Sequence, residues 1–145
     1  MDMGVNHFLT DMEGHYVKNP RFYEKSLKRT GKLHHRLSRR RKGSRNREET
    51  KTRLARVYEQ PVNQRNDLVH KLSRLCVSDY DAVAVEDLDI AGMAKNSHLS
   101  QKTLDASWGK FLQMLSYKAE RAGRTVAKVN SRGNFTRVQA RRARP

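Results

Sequence analysis

The feature that constrains this chain most is the apolar run Ala82-Val83-Ala84-Val85, followed at once by Glu86, Asp87 and Asp89. Successive residues of a strand face opposite sides of a sheet, so a run that is apolar at every position predicts a strand covered on both faces. Doubly covered strands occur in parallel sheets that carry helices. The run therefore predicts the central strand of an α/β layer domain.

The segments around this run alternate between strand and helix patterns. In chain order the predicted elements are a strand over Asp2–Thr10, a return strand over His15–Lys18, a helix over Tyr23–Arg41, a helix from about Arg47, the strand at 82–86, a loop over Gly92–Gln101, a helix over Leu104–Ala122 and a strand over Thr125–Val129. Pro61 lacks an N–H and should kink or split the second helix. We expect a mixed, partly parallel sheet, with the strand at 82–86 between the hairpin strand near Asp2 and the strand at Thr125–Val129.

Positive charge is concentrated in two parts of the chain. The sequence has 31 Lys and Arg against 15 Asp and Glu, a formal net charge of +16. Thirteen cations and a single acid, Glu24, lie between Lys18 and Arg47, and residues 131–145 add five Arg and no acid. Clustered like charge favours a phosphate polymer as partner, because binding releases condensed counterions. The alternative is a solvated helix face. The predicted nucleic-acid contacts are Arg36, Arg39, Arg40, Arg41, Lys42, Arg45 and Arg47.

Other classes of protein are disfavoured by composition. Cys76 is the single cysteine, so neither a disulfide framework nor a cysteine zinc site is expected, in keeping with a reducing cytoplasm. No run approaches the roughly 18 apolar residues of a membrane span. The predicted domain boundaries are an N-terminal hairpin over 1–22, a basic helical insertion over 23–80, the rest of the core over 81–130 and a disordered basic tail over 131–145.

Two acids stand where ends of strands are expected, Asp2 on the first strand and Glu86 on the apolar one. Sites in open α/β sheets form at the carboxyl ends of strands, and two carboxylates on neighbouring strands could hold Mg²⁺, which takes oxygen ligands. A pair of such ions activates water and stabilises the leaving oxygen of a phosphodiester. Composition alone leaves open the simpler alternative, in which both acids lie in solvent.

Three blocks of the chain resemble the TnpB/OrfB family of insertion-sequence proteins. They are Asp2-Met3-Gly4-Val5 with Asn19-Pro20-Arg21-Phe22, then Val85-Glu86-Asp87-Leu88-Asp89-Ile90-Ala91-Gly92-Met93, then the stretch from Asp105 to Glu120. The resemblance implies an RNase H-like (RuvC-type) fold, an RNA-guided DNA endonuclease, and DNA and a guide RNA as partners. It implies that Asp2 and Glu86 are catalytic carboxylates that bind Mg²⁺.

The family pattern continues with a Cys-x-x-Cys zinc ribbon and a third catalytic Asp, both absent here. The region from Ser131 to Arg141 has no Cys, and no acid follows Glu120. We therefore expect a truncated copy that binds no zinc, binds Mg²⁺ weakly and is inactive alone. One alternative is a non-catalytic basic module that binds DNA or RNA, and another is a small helical RNA-binding structural protein, for which paired acids have no use.

Affinity for nucleic acid is expected to fall steeply as salt rises, because phosphate contacts dominate the binding. Replacing Arg39, Arg40, Arg41 and Lys42 with Ala should weaken binding to all sequences alike. Fluorescence anisotropy with labelled oligonucleotides, measured between about 50 and 200 mM salt, tests both expectations. An affinity that does not change with salt would contradict them.

Overall fold

The computed structural model describes residues 1–96 and 106–129 and shows a mixed α/β chain with a long helix and small sheets. Its elements are β1 (His7–Thr10), β2 (Tyr16–Lys18), α1 (Phe22–Ser38), α2 (Arg45–Asp79), β3 (Ala82–Glu86), α3 (Ile90–Lys95), α4 (Trp108–Arg121) and β4 (Thr125–Val129). One compact unit contains Met1–Pro20 and the described residues from Leu68 onward, and a second contains Arg21–Asp67. The predicted tail at 131–145 lies outside the described residues.

Strand β3 has one buried face, and its other face is partly covered, which is less than its apolar run predicted. Val83 and Val85 are 3% and 1% exposed, and the intervening Ala84 is partly buried. β3 pairs in parallel with β4, from Ala82 opposite Thr125 to Glu86 opposite Val129. The predicted bounds of β4 and its parallel pairing are confirmed.

The predicted place of the hairpin in the sheet is wrong. Among the described residues β1 pairs with β2 alone, in a separate antiparallel sheet, and β3 pairs with β4 alone. The opening segment is not one strand, because the chain turns where Gly4 N donates to His7 O, and Asp2 then lies opposite Thr10. As a result, the chain start reaches β3 through the Met1 amino group, which donates to Ala84 O at 2.6 Å.

The core of this unit is a cluster of large apolar side chains. Phe8 of β1 meets Phe111 of α4 edge to face, with ring centroids 5.5 Å apart. Trp108, Phe111 and Leu115 are fully buried, so their predicted core role is confirmed. Their spacing on α4 places them on one face of the helix, because residues three and four apart are neighbours on its surface.

The end of α4 follows from a single glycine. Gly123 has φ +65°, the left-handed conformation that ends many helices, and it was predicted as the stop. The N–H of Gly123 donates to Glu120 O and that of Arg124 to Ala119 O, at 3.1 and 2.8 Å. These two bonds satisfy carbonyls that the helix end would otherwise leave unpaired. The predicted start at Leu104 lies outside the described residues.

A lysine joins α4 to the second half of α2. Lys118 Nζ donates to His70 O at 2.7 Å and to Ser73 Oγ at 2.8 Å, and Ser73 is fully buried. Loss of solvent, followed by the charge of Arg74, lowers the pKa of Lys118 below its usual value. The contact is therefore a packing contact that satisfies a buried hydroxyl.

The turn between α1 and α2 is held by two arginines. Gly43 takes φ +79° in this turn, where the sequence predicted a helix break. Arg47 Nη1 donates to Leu37 O at 2.6 Å and to Arg40 O at 3.1 Å. Arg40 Nη1 in turn donates to Asn46 O at 2.5 Å. Arg47 thus binds carbonyls at and just after the end of α1, and Arg40 binds a carbonyl in the first turn of α2.

Two further elements differ from their predictions. Helix α2 runs from Arg45 to Asp79 without a split at Pro61, which is buried, while a kink there stays a prediction. The segment predicted as a loop from Gly92 forms α3 over Ile90–Lys95, because Asp89 Oδ1 accepts from Gly92 N at 2.9 Å and so caps the helix. A Cβ at Gly92 would collide with the Asp89 carboxylate.

In the described ranges, no helix is long and apolar enough to cross a bilayer.

Substituting Phe111 with Ala should lower the free energy of unfolding by about 3–5 kcal/mol, because a buried ring is replaced by a cavity. The matched control is Tyr117→Ala on the same helix, where the side chain is 37% exposed and should cost less than about 1 kcal/mol. Urea denaturation followed by circular dichroism measures both. Similar losses for the two variants would contradict the assigned core.

Substituting Arg47 with Gln should destabilise the protein by about 1–3 kcal/mol, since buried carbonyl acceptors lose a charged donor. Arg41 is exposed, so the same substitution there should change stability by less than about 0.5 kcal/mol. The comparison uses the same denaturation measurement. An equal effect at both positions would show that the turn does not depend on Arg47.

Candidate nucleic-acid interface and carboxylate pair

Asp2 and Glu86, the two predicted catalytic acids, belong to the same compact unit. The backbone of Asp2 is fixed by two hydrogen bonds with Thr10, at 2.9 and 2.8 Å, while its side chain is exposed. Glu86 is the last residue of β3 and is partly buried. The strand-end position predicted for Glu86 is therefore observed, whereas Asp2 precedes β1.

The Met1 amino group connects these two acids electrostatically. Burial lowers the pKa of this ammonium, and the charges of Asp2, Cys76, Asp11 and Glu86 act in the opposite direction. The group donates to Ala84 O in the middle of β3. The negative charges of both predicted acids thus raise the pKa of one amino group, which donates to the backbone of β3.

The other acids after β3 have structural partners. Asp87 continues the ladder through its N–H to Val129 O, and its carboxylate lies 3.8 Å from Lys128 Nζ. Asp89 caps α3. Asp87 and Asp89 thus have structural roles, and the catalytic role of Glu86 stays a prediction.

Asp11, Glu13 and His15 form the one group within the described ranges whose ligand atoms are close enough to share a metal ion. Hydrogen bonding accounts for the group without an ion. Asp11 Oδ1 accepts from the N–H groups of Glu13 and His15, and Oδ2 lies 3.0 Å from His15 Nδ1. Burial raises the pKa of Asp11, but these hydrogen bonds together lower it below its usual value. Asp11 therefore closes the β1–β2 turn as a hydrogen-bond acceptor.

Cys76 is a buried thiol beside the chain start. It is 4% exposed, and its Sγ lies 3.9 Å from the Met1 sulfur. Burial, followed by the charge of Asp79, raises the pKa of Cys76 to about 11. The thiol is therefore protonated at neutral pH and behaves as a small apolar side chain.

The second compact unit, Arg21–Asp67, contains most of the net positive charge. It has sixteen Lys or Arg against five Asp or Glu, a net charge of +11 out of the chain's +16. Charge of this density on a short helical pair is typical of surfaces that bind phosphate.

The seven predicted nucleic-acid contacts differ in their surroundings. Arg36, Arg39, Arg41 and Lys42 are exposed. Arg45 is exposed and lies 3.4 Å from Glu49. Arg40 and Arg47 are half-buried and use guanidinium donors on the backbone of the turn, which leaves fewer donors for a phosphate. Sequence spacing did not reveal this because the acceptors are backbone carbonyls on both sides of the turn, which residue types do not indicate.

Comparison with known proteins matches residues 1–97 to the family OrfB_IS605, described as "Probable transposase". A Streptomyces pristinaespiralis protein named "Putative RNA-guided DNA endonuclease" is 32% identical over 130 residues, which cover 90% of this chain and 32% of that protein. "Putative RNA-guided DNA endonuclease InsQ" of Escherichia coli strain K12 is 26% identical over 133 residues, covering 81% of this chain and 33% of that protein.

This chain spans about a third of the length of each of these relatives. The family match includes Asp2, Glu86 and the whole basic unit, and the similarity to the Streptomyces protein covers nine-tenths of the chain. The chain therefore belongs to the OrfB_IS605 family of insertion-sequence proteins, as the three sequence blocks predicted.

Proposed function

We propose that this chain is the part of an RNA-guided DNA endonuclease that binds nucleic acid through its basic helical unit and carries two acids of the catalytic site. The observation that supports this most directly is the extent of the family match. Residues 1–97 include Asp2, Glu86 and the whole of α1 and α2. The endonuclease names of both relatives indicate DNA and a guide RNA as partners.

The fold proposed for the catalytic part is an incomplete RNase H-like core. A parallel pair, β3 and β4, with α4 in the connection between them, is the right kind of layer for it. The β1–β2 hairpin belongs to the same compact unit. In this proposal α1 and most of α2 form an insertion between the hairpin and β3.

The carboxylates of Asp2 and Glu86 suit Mg²⁺, a hard cation that takes oxygen ligands. Both residues belong to the same compact unit, which is compatible with a shared ion. When bound, Mg²⁺ would activate water and stabilise charge on a phosphodiester. The Asp2 side chain is exposed and Glu86 is partly buried, so we propose weak binding by two ligands. Zinc is not proposed, because the one cysteine is a buried protonated thiol.

A second candidate is a basic module that binds DNA or RNA without chemistry. The observation that favours it is the net charge of +11 in the unit Arg21–Asp67, which is sufficient for phosphate contacts without any chemistry. Both candidates share the basic unit and differ in whether the carboxylate pair has a role.

The purified chain should not cleave single- or double-stranded DNA in Mg²⁺ or Mn²⁺, because two carboxylates do not fix a metal pair in the geometry that cleavage needs. It should nevertheless bind Mn²⁺ weakly, and the affinity should fall in Asp2→Asn and in Glu86→Gln. Gel assays and electron paramagnetic resonance of Mn²⁺ measure the two properties.

Asp87→Asn serves as the matched control, since Asp87 is exposed and lies near Lys128. Cleavage that disappears in Glu86→Gln would overturn the proposed inactivity. Unchanged Mn²⁺ binding in both carboxylate variants would leave the non-catalytic binding module as the function.

A further inference from the structure

We propose that a groove between α1 and α2 binds consecutive phosphates of one nucleic-acid strand. This inference rests on the proposed function and assigns the strand a place on the protein. The groove lies wholly within the compact unit Arg21–Asp67. It is distinct from the α1–α2 turn, where most of the contacts predicted from sequence lie.

Two adjoining cavities make up the groove. The first has a volume of 480 Å³ and the second 310 Å³, and they share Arg29, Val57 and Gln60. Because they share lining residues on both helices, the cavities form one elongated depression along the α1–α2 seam. The basic residues that line the groove, which we call the groove cations, are Lys25, Arg29, Lys32, Arg36, Arg53 and Arg56.

The groove cations share a face on each helix. On α1 the positions 25, 29, 32 and 36 are spaced by three or four residues, as are 53, 56 and 60 on α2. Residues at this spacing lie above one another on a helix. The seam between the helices is therefore flanked by a cationic row on α1 and a shorter one on α2. Val57, which is buried, lies between them.

The groove cations have no charge partner among the described residues. None of them takes part in an ion pair or a side-chain hydrogen bond there, and no acid lines either cavity. Like charges this close lie within a Debye length of about 8–10 Å and repel each other. Clustered unpaired cations destabilise the unit in isolation, and a bound polyanion would reverse that effect.

The dimensions of the groove favour a strand over a compact anion. Lys25 and Arg36 are eleven residues apart on α1, which is about 16 Å at 1.5 Å per residue. At about 3.4 Å per nucleotide, this length matches roughly five stacked nucleotides. Six cations along it would suit successive phosphates.

The lining of the groove favours the backbone over the bases. Phe22, at one end of the second cavity, is the one aromatic residue among the described lining residues. Without a row of aromatic side chains the bases have no stacking platform, so the contact would be independent of sequence. The exposed groove cations flank a depression along the seam, and a depression fits a flexible single strand better than a rigid duplex, which presents its phosphates on a convex surface.

The test compares two double variants that each remove two positive charges. The groove variant is Arg53→Gln with Arg56→Gln. The control is Lys51→Gln with Arg74→Gln, two exposed cations of α2 that do not line the groove. Anisotropy with a labelled oligothymidine, in the full chain, gives the affinity at a series of salt concentrations. Circular dichroism confirms that both variants fold.

The groove variant should reduce the slope of log affinity against log salt by about 1.4, since each single-strand phosphate contact contributes about 0.7. At about 0.1 M salt this corresponds to roughly 25-fold weaker binding, if the electrostatic part vanishes near 1 M. The control should change the slope by less than about 0.3. Arg53→Lys with Arg56→Lys, which keeps the charge, should retain most of the affinity.

Each other outcome overturns a different statement. If the groove variant and the control show equal slopes while the wild type binds in a salt-dependent manner, the groove is not the binding site and the proposed function stands. If the groove variant loses as much salt dependence of affinity on a duplex of the same length, the proposed preference for a single strand is wrong. If the wild-type protein shows no salt-dependent binding, both the proposed function and the role of the groove are wrong.

Discussion

Burial of the face of β3 that carries Val83 and Val85 is the constraint on which the first compact unit depends. Val83 and Val85 belong to the same buried cluster as Phe8, Trp108 and Phe111. A strand that is apolar at every position leaves no face for water, so the hairpin and α4 must cover it. Its parallel partner β4 extends the ladder to Glu86 and on to the N–H of Asp87. The position of Glu86 at the strand end is thus a consequence of packing.

Electrostatic repulsion is the corresponding constraint on the second unit. A net charge of +11 in 47 residues is partly compensated inside the unit, where two arginines bind backbone carbonyls and Arg45 pairs with Glu49. The remaining cations line the α1–α2 groove or project from the turn. The arginines therefore have two roles, since some hold the turn together and others remain available to phosphate. Burial and hydrogen bonding, rather than residue type, separate the two roles.

The carboxylate pair shows how a strand end and a chain start can share an electrostatic environment. Asp2 is held by its backbone pairing with Thr10, and Glu86 by the β3 ladder. The Met1 ammonium binds Ala84 O between them and is acted on by both carboxylates. Other acids of the same unit have structural roles. Asp11 closes the β1–β2 turn by accepting hydrogen bonds, and Asp89 caps α3. Position in the fold therefore distinguishes acids that composition treats as equal.

The sequence by itself determined the elements whose signals are local. A continuous apolar run predicted β3, and local strand and helix patterns predicted β4 and α4. Gly43 and Gly123 lie in the breaks after α1 and α4, where their positive φ is costly for other residues. Pairing partners were decided only by tertiary structure. The turn at Gly4 moved the hairpin off β3, the Asp89 cap turned an expected loop into α3, and packing kept α2 continuous through Pro61. The groove likewise needed two helices to meet, since its cations are spread over residues 25–56 and only Arg36 had been predicted from the sequence. Contacts between distant residues depend on geometry that no local pattern encodes.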